Sequence, residues 1–148
     1  MSEQVIIYTD GGCEPNPGVG GWAAVMLFGQ HRKELSGGEL ESTNNRMELK
    51  AAIESLKTLT RPCIVTIYTD SQYVRLGITQ WMADWKAKGW KRKTGAIKNL
   101  DLWREVDELA AQHTIEWAWV KGHSGVDENE RCDELASMAI AQMRDNVV

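Results

Sequence analysis

The sequence predicts a single α/β domain, in which helices pack against a mixed β-sheet. The chain has 148 residues, which fits one domain with one hydrophobic core. Three strand-like segments come first, and strand and helix patterns then alternate to the end of the chain. Consecutive strands favour antiparallel pairing, whereas strand–helix alternation favours parallel pairing, so the two patterns together predict a mixed sheet.

The first three strands are predicted from β-branched and aromatic residues and from the turns between them. Residues 5–9 have the pattern of a buried strand that leads into a turn at Asp10-Gly11-Gly12. Residues 22–28 and 31–36 have the same pattern, and Gly29-Gln30 between them predicts a hairpin.

Helices and further strands are predicted after residue 42. Thr43, Asn44 and Asn45 can cap a helix, and apolar residues then recur at helical spacing at Leu49, Ala52, Ile53, Leu56 and Leu59. The remaining predicted elements are a strand at 63–69 closed by Asp70, a helix ending at Gly77, helices over 80–88 and 102–110, a strand at 115–120 and a helix over 128–143.

The composition predicts a protein of the cytoplasm. The longest apolar run, residues 22–28, is far shorter than the roughly 20 residues of a membrane-spanning helix. The N-terminus has none of the features of a secretory signal. Cys13, Cys63 and Cys132 form no Cys-x-x-Cys pair, so we expect reduced thiols rather than disulfides or a zinc site.

The charge of the chain is sorted by region. The net charge of −4 argues against a phosphate-binding surface, but residues 86–98 carry six basic residues and no acidic one. This segment could therefore contact a polyanion although the chain as a whole is acidic.

A repeated tetrapeptide indicates where the chemistry lies. Ile-Tyr-Thr-Asp occurs at residues 7–10 and again at 67–70, each time at the end of an apolar strand pattern. If the two strands are parallel neighbours, Asp10 and Asp70 lie together at the carboxyl edge of the sheet, where open α/β folds bind ligands. The repeat favours a shared site, although a lone aspartate after a strand is more often a turn or cap residue.

Two further carboxylates can border the same edge. Helical spacing puts Glu48 and Asp133 on the flanks of the apolar faces of their helices. Four converging acids repel one another unless two hard cations such as Mg²⁺ or Mn²⁺ neutralise them. Judged singly, both residues are also compatible with ordinary charges at a helix boundary. His123, in a glycine-flanked loop, could move protons or be a solvated surface histidine.

These residues belong to motifs that resemble type 1 ribonuclease H of bacteria, over essentially the whole chain. The similar segments are Tyr-Thr-Asp-Gly-Gly-Cys from Tyr8, Thr-Asn-Asn-Arg-Met-Glu-Leu from Thr43, Thr-Asp-Ser-Gln-Tyr-Val from Thr69, Lys-Asn-Leu-Asp-Leu-Trp from Lys98, and Gly-His-Ser-Gly from Gly122 with Cys132-Asp133. The resemblance implies a ribonuclease H-like fold, with a five-stranded sheet in the order 3-2-1-4-5. It also implies hydrolysis of the RNA strand of RNA/DNA hybrids, leaving 5′-phosphate and 3′-hydroxyl ends.

The same resemblance assigns roles to the site residues. Asp10, Glu48, Asp70 and Asp133 would hold two Mg²⁺ ions, with Mn²⁺ a possible substitute, and His123 would assist proton transfer or product release. The residues that would recognise the 2′-hydroxyls of the RNA strand are Cys13, Asn16, Asn44, Asn45, Glu48 and Gln72. Thr43 and position 84 would grip a DNA phosphate. The asparagines are equally suited to capping and turns.

A basic protrusion at about residues 81–98 would hold the DNA strand. Its predicted contacts are Trp81, Asp84, Trp85, Lys86, Lys88, Trp90, Lys91, Arg92 and Lys93. Asp84 departs from the family, which usually has Asn there, and a carboxylate would repel the phosphate. Trp81 and Trp85, one helical turn apart, can also belong to the core. We expect a monomer with one domain over residues 1–148.

Two rival functions stay open from sequence. A binding module could use the same fold to hold hybrids or protein partners without cutting them, and a related nuclease could cut DNA instead. The presence of all four carboxylates argues against the first, and the residues assigned to the 2′-hydroxyl and the protrusion argue against the second.

Overall fold

The computed structural model describes residues 3–91, 95–120 and 127–146, which form a five-stranded mixed sheet in the order β3-β2-β1-β4-β5. The pairs β1–β2 and β2–β3 are antiparallel, and β1–β4 and β4–β5 are parallel. The elements are β1 Glu3–Cys13, β2 Gly18–Phe28, β3 His31–Ser42, α1 Asn44–Lys57, β4 Cys63–Thr69, α2 Gln72–Leu76, a π-helical turn Gly77–Trp81, α3 Met82–Ala87, α4 Leu100–Ala110, β5 Thr114–Trp119 and α5 Asp127–Asp145. The predicted fold class and strand order are confirmed.

The alternation of side chains along β2 divides the core into two layers. Ala24 and Met26 face the layer that contains α1. Ala23 and Val25 point the other way and pack against α5. Successive side chains of a strand point to opposite faces, so helices cover both faces of this central part of the sheet.

The predicted turn at Asp10-Gly11-Gly12 is wrong, because β1 continues to Cys13. The pairing of β1 with β4 stops at Tyr8. The pairing of β1 with β2 continues to Cys13, and Gly11 lies opposite Trp22 in it. The glycines of this segment therefore lie in a strand, and Asp10 projects from the strand itself. The hairpin at Gly29 is confirmed: Phe28 pairs with His31, and Gly29 has φ +58°. β2 and β3 are both longer than predicted.

The predicted helix end at Gly77 is also wrong. Gly77 has helical dihedral angles, and the chain continues through the π-helical turn into α3. A side chain at this position would overlap the ring of Trp103, which is completely buried. Gly77 is thus required for the close approach of α4 to this helical segment.

Two predictions from the composition can be compared with the described residues. All three cysteines are free thiols. Within residues 3–91, 95–120 and 127–146, no helix is both long and apolar enough to cross a bilayer.

Candidate active site

The two copies of the repeated tetrapeptide lie side by side in the sheet. In the parallel pair β1–β4, Ile7 is opposite Ile67 and Tyr8 is opposite Tyr68. The two tyrosine rings stack with their centroids 4.7 Å apart. This register brings Asp10 and Asp70 to the same edge of the sheet, as the repeat predicted.

Glu48 reaches this edge because α1 packs unusually closely on β1. A Cβ atom at Gly11 would overlap the backbone of Met47 and Glu48. Thr43 begins the helix, since its Oγ1 accepts a hydrogen bond of 3.2 Å from the backbone N–H of Arg46. The Thr43 cap and the Gly11 contact together set the position of Glu48 beside Asp10.

Asp10, Glu48 and Asp70 form a cluster in which one carboxylate oxygen of each lies within 4.8 Å of the others. Burial, reinforced by the charges of Asp70 and Asp133, raises the pKa of Asp10 to about 8. Burial and the charges of Asp10 and Asp70 also raise the pKa of Glu48 well above its usual value. The three acids are therefore packed more closely than free carboxylates tolerate.

The cluster has the donors that a hard divalent cation needs. Oε1 of Glu48 is buried without a hydrogen-bond partner among the described residues, although the Glu48 side chain does interact with Gly11 N–H and with Ser71. Carboxylate oxygens are the preferred ligands of Mg²⁺, and a cation removes the mutual repulsion of the cluster. The residues present therefore fit a divalent metal site.

Asp133, the fourth predicted ligand, borders the same cavity. A space of about 140 Å³ is lined by Asp10, Gly11, Asp70, Asn129, Glu130 and Asp133. Asp133 is exposed on α5, and its carboxylate contributes to the raised pKa of Asp10, but it is not part of the tight cluster of three. His123 lies outside the described residues, so its predicted role stays a prediction.

A wider groove of about 600 Å³ runs beside the carboxylates. It brings together Cys13, Asn44, Asn45 and Gln72, all predicted to contact RNA, with Glu48. Backbone N–H of Cys13 donates to Asn44 Oδ1 at 2.6 Å, and backbone N–H of Asn44 donates to Asn16 Oδ1 at 3.1 Å. These bonds join the end of β1 and the loop after it to the start of α1, so Asn16 and Asn44 have a structural role besides the predicted one.

The predicted DNA contacts lie farther along, on the segment after α2. Trp81, Trp85 and Trp90 form a row with centroids 5.9 and 6.5 Å apart, and Trp81 and Trp85 also contact Tyr73 and Trp103. They are half-buried, so they contribute to the core and also present an aromatic surface. A cavity of about 390 Å³ is lined by Tyr73, Trp81, Trp85 and Lys98.

Two of the predicted basic contacts are paired with acids. Lys88 Nζ lies 3.2 Å from Asp84, and Lys86 Nζ lies 2.9 Å from Asp107. Lys91 is exposed. Arg92 and Lys93 lie outside the described residues.

Sequence reasoning missed a hydrogen-bond network beside the groove. The Arg46 guanidinium donates to the Asp101 carboxylate and to Asn99 Oδ1, and Asn99 Nδ2 donates to the Tyr73 hydroxyl at 3.0 Å. Trp103 Nε1 donates to the same hydroxyl. The network ties α1, α2 and α4 together near Gln72. Its residues are far apart in sequence, so no local pattern reveals it.

The fold and the carboxylate cluster define an α/β domain with a divalent metal site at the carboxyl edge of its central strands. A family model described as RNase H matches residues 2–141. A ribonuclease H of Hydrogenovibrio crunogenus is 58% identical over 142 residues, which cover 95% of this chain and 98% of that protein.

Solved structures agree with the sequence comparison. The crystal structure of a type 1 ribonuclease H with the type 2 active-site motif has a TM-score of 0.86 and 33% identity, covering 96% of this chain and 74% of that one. A ribonuclease H crystallised with an RNA/DNA hybrid shares the fold, with a TM-score of 0.67, 22% identity, and coverage of 94% of this chain and 98% of that one.

The chain belongs to the ribonuclease H family. It is a metal-dependent endoribonuclease that hydrolyses the RNA strand of RNA/DNA hybrids. The resemblance found in the sequence motifs is thereby confirmed.

Proposed function

We propose that Asp10, Glu48, Asp70 and Asp133 hold two Mg²⁺ ions, for which Mn²⁺ could substitute, and that this site cuts the RNA strand. The observation that carries the proposal is the crowding of three carboxylates within 4.8 Å, with one buried Glu48 oxygen that has no partner among the described residues. Two such ions, when bound, supply an activated water and stabilise the leaving oxygen of an in-line displacement.

In the proposed reaction, a water oxygen bonds to the phosphorus of the RNA backbone and the P–O3′ bond breaks, while the water gives up a proton and the departing O3′ gains one. The products are one fragment with a 5′-phosphate and one with a 3′-hydroxyl. The protein positions the strand, and its carboxylates hold the ions. His123 would assist proton transfer or product release, as the resemblance in the sequence implies.

The groove supports recognition of the RNA strand. Asn44, Asn45 and Gln72 line it beside Glu48, and amide groups can both donate to and accept from a 2′-hydroxyl. DNA has no such hydroxyl, so these residues would select RNA at the cleavage site.

The protrusion at about residues 81–98 would bind the DNA strand of the hybrid through its aromatic row and its lysines. We further propose that residues 1–148 act as a single domain, as a monomer, in the cytoplasm. Light scattering on the purified protein tests the monomer, which a mass of twice 16.7 kDa would contradict.

The decisive assay compares one sequence as hybrid, double-stranded RNA and double-stranded DNA, each with Mg²⁺ and with EDTA. We expect cleavage of the RNA strand of the hybrid alone, and only with Mg²⁺. Asp70→Asn should abolish cleavage, whereas Asp145→Asn, an exposed aspartate at the end of α5, serves as the matched control. Normal Mg²⁺-dependent turnover by Asp70→Asn would overturn the metal-site assignment.

A further inference from the structure

A cavity on the β5 side of Asp70 has no role in the site described above. Its volume is about 220 Å³, and it is lined by Thr69, Asp70, Ser71, Gln72, Arg75, Trp119 and Val120. It shares Ser71 and Gln72 with the groove and Asp70 with the carboxylate cavity. A nucleic-acid strand that lies in the groove and crosses the carboxylates would therefore continue into this cavity.

The cavity contains a cation held on an aromatic ring. The Arg75 guanidinium carbon lies 5.9 Å from the centroid of the Trp119 ring. Trp117 stacks on Trp119 with centroids 6.3 Å apart and an angle of 11° between the planes, which fixes the ring that Arg75 contacts. Such a contact orients a guanidinium while leaving its N–H groups free to donate.

Arg75 differs from other arginines near the site in having no acidic partner. Arg46 is paired with Asp101 and Arg131 with Glu34, whereas Arg75 has no ion pair within the described part of the chain. Asp70 borders the same cavity, but its carboxylate belongs to the cluster that a divalent cation would neutralise. An exposed guanidinium without an acid is suited to bind an anion.

We propose that Arg75, oriented by Trp119, binds a phosphate of the RNA strand next to the bond that is cut. The inference rests on the proposed cleavage of hybrids at Asp70. The cavity includes Gln72, a predicted RNA contact, and lies on the β5 side of Asp70. It includes none of the tryptophans of the protrusion, which are the predicted DNA contacts. We therefore assign the phosphate to the RNA strand. It can be an internal phosphodiester of the substrate or the terminal 5′-phosphate of the product.

The test measures hybrid binding in EDTA and cleavage in Mg²⁺ for Arg75→Gln, Arg75→Lys and the control Lys33→Gln. Lys33 is an exposed cation on β3, two strands from β1 and opposite Met26 of β2, and its substitution removes the same charge. Arg75→Gln should weaken hybrid binding about tenfold at low salt, the size of one charge-assisted hydrogen bond at a partly exposed site. Arg75→Lys should recover part of this loss, and Lys33→Gln should bind like the parent.

A scan of single neutral methylphosphonate linkages along the RNA strand separates a direct contact from a structural effect. The parent should lose affinity at one position beside the cut, and Arg75→Gln should show no further loss there. Equal loss in parent and variant at every position would overturn the proposal, as would Arg75→Gln binding like Lys33→Gln. If the parent cleaves the hybrid normally, such a result rejects the Arg75 contact and leaves the proposed function intact.

Product hybrids that end in a 5′-phosphate or a 5′-hydroxyl distinguish the two sources of phosphate. If Arg75 holds the terminal phosphate, the phosphorylated product inhibits the parent more strongly than the hydroxyl product, and Arg75→Gln removes the difference. If it holds an internal phosphodiester, the two products inhibit equally and the loss appears in the methylphosphonate scan. No difference in either experiment contradicts the proposal.

Discussion

Replacing Asp10 by Asn should stabilise the metal-free protein at neutral pH while abolishing cleavage. In the folded protein, burial and the charges of Asp70 and Asp133 raise the pKa of Asp10 from 3.8 to about 8. Below pH 3.8 the carboxyl is protonated in both the folded and the unfolded chain, so it costs no stability. As the pH rises toward 8, the unfolded chain ionises first, and the folded state loses stability relative to it.

The size of this effect follows from the interval between the two pKa values. Each pH unit between 3.8 and 7 costs about 1.36 kcal/mol, or about 4 kcal/mol at pH 7. The effective dielectric around a partly exposed carboxyl reduces such a cost, so we expect Asp10→Asn to raise the free energy of unfolding by roughly 2–4 kcal/mol in EDTA. Mg²⁺ should reduce the difference in the free energy of unfolding between Asp10→Asn and the parent, because an ion bound to the folded parent stabilises it.

Urea unfolding followed by circular dichroism at pH 4, 5.5, 7 and 8.5 measures the effect. The gain from Asp10→Asn should be small at pH 4 and grow up to about pH 8. Asp145→Asn, an exposed aspartate, should change the free energy of unfolding by less than about 0.5 kcal/mol at any pH. If Asp10→Asn is no more stable than the parent at pH 7 in EDTA, or gains equally at pH 4 and pH 7, the electrostatic account of the cluster is wrong.

Three further predictions concern the substrate. Asp84→Asn should tighten hybrid binding at low salt with little change in kcat. The substitution removes a negative charge beside the proposed DNA strand and frees Lys88, whose Nζ lies 3.2 Å from the Asp84 carboxylate. Unchanged or weaker binding would identify Asp84 as an ordinary surface acid. The charges of the basic cluster can be neutralised together at Lys86, Lys88, Lys91, Arg92 and Lys93. The slope of log affinity against log salt concentration should then become shallower by about 0.9 for each lost phosphate contact. An unchanged slope would show that the cluster does not bind the hybrid. His123→Ala should slow single-turnover cleavage by roughly 10²–10⁴-fold without stopping it, and an unchanged rate would show that His123 takes no part.

The cluster of carboxylates could be predicted from the sequence because its main signal is local. The repeated tetrapeptide puts an aspartate after the same apolar pattern twice, and parallel pairing of the two strands then brings both acids to one edge. Helical spacing allowed Glu48 and Asp133 to border the same edge, but it was equally compatible with ordinary charges at a helix boundary. The full set of four ligands came from the resemblance to type 1 ribonuclease H. The pKa of Asp10 is raised mainly by burial and then by the charges of Asp70 and Asp133. This burial depends on how the helices and strands pack, so it could not be read from the pattern.

The two wrong boundaries have a common cause. A glycine after an apolar run predicts a turn or a helix end, but the same residue is also required where two backbones or a ring come into contact. Gly11 admits the backbone of α1, and Gly77 admits the ring of Trp103. The partner that requires the glycine lies 36 or 26 positions away in the chain, so only tertiary structure distinguishes the two uses.

The crowding of the same carboxylates should both destabilise the metal-free protein and favour the binding of cations. Asp10, Glu48 and Asp70 repel one another in a partly buried space, which lowers the stability of the metal-free fold. A bound divalent cation removes this repulsion. The stability that the repulsion costs the metal-free fold therefore contributes to the free energy of cation binding. The cluster also repels phosphate until it is neutralised, so cation and RNA strand should bind cooperatively, each raising the affinity for the other by the same factor. In this way a protein with a net charge of −4 can bind a polyanion beside a cluster of carboxylates.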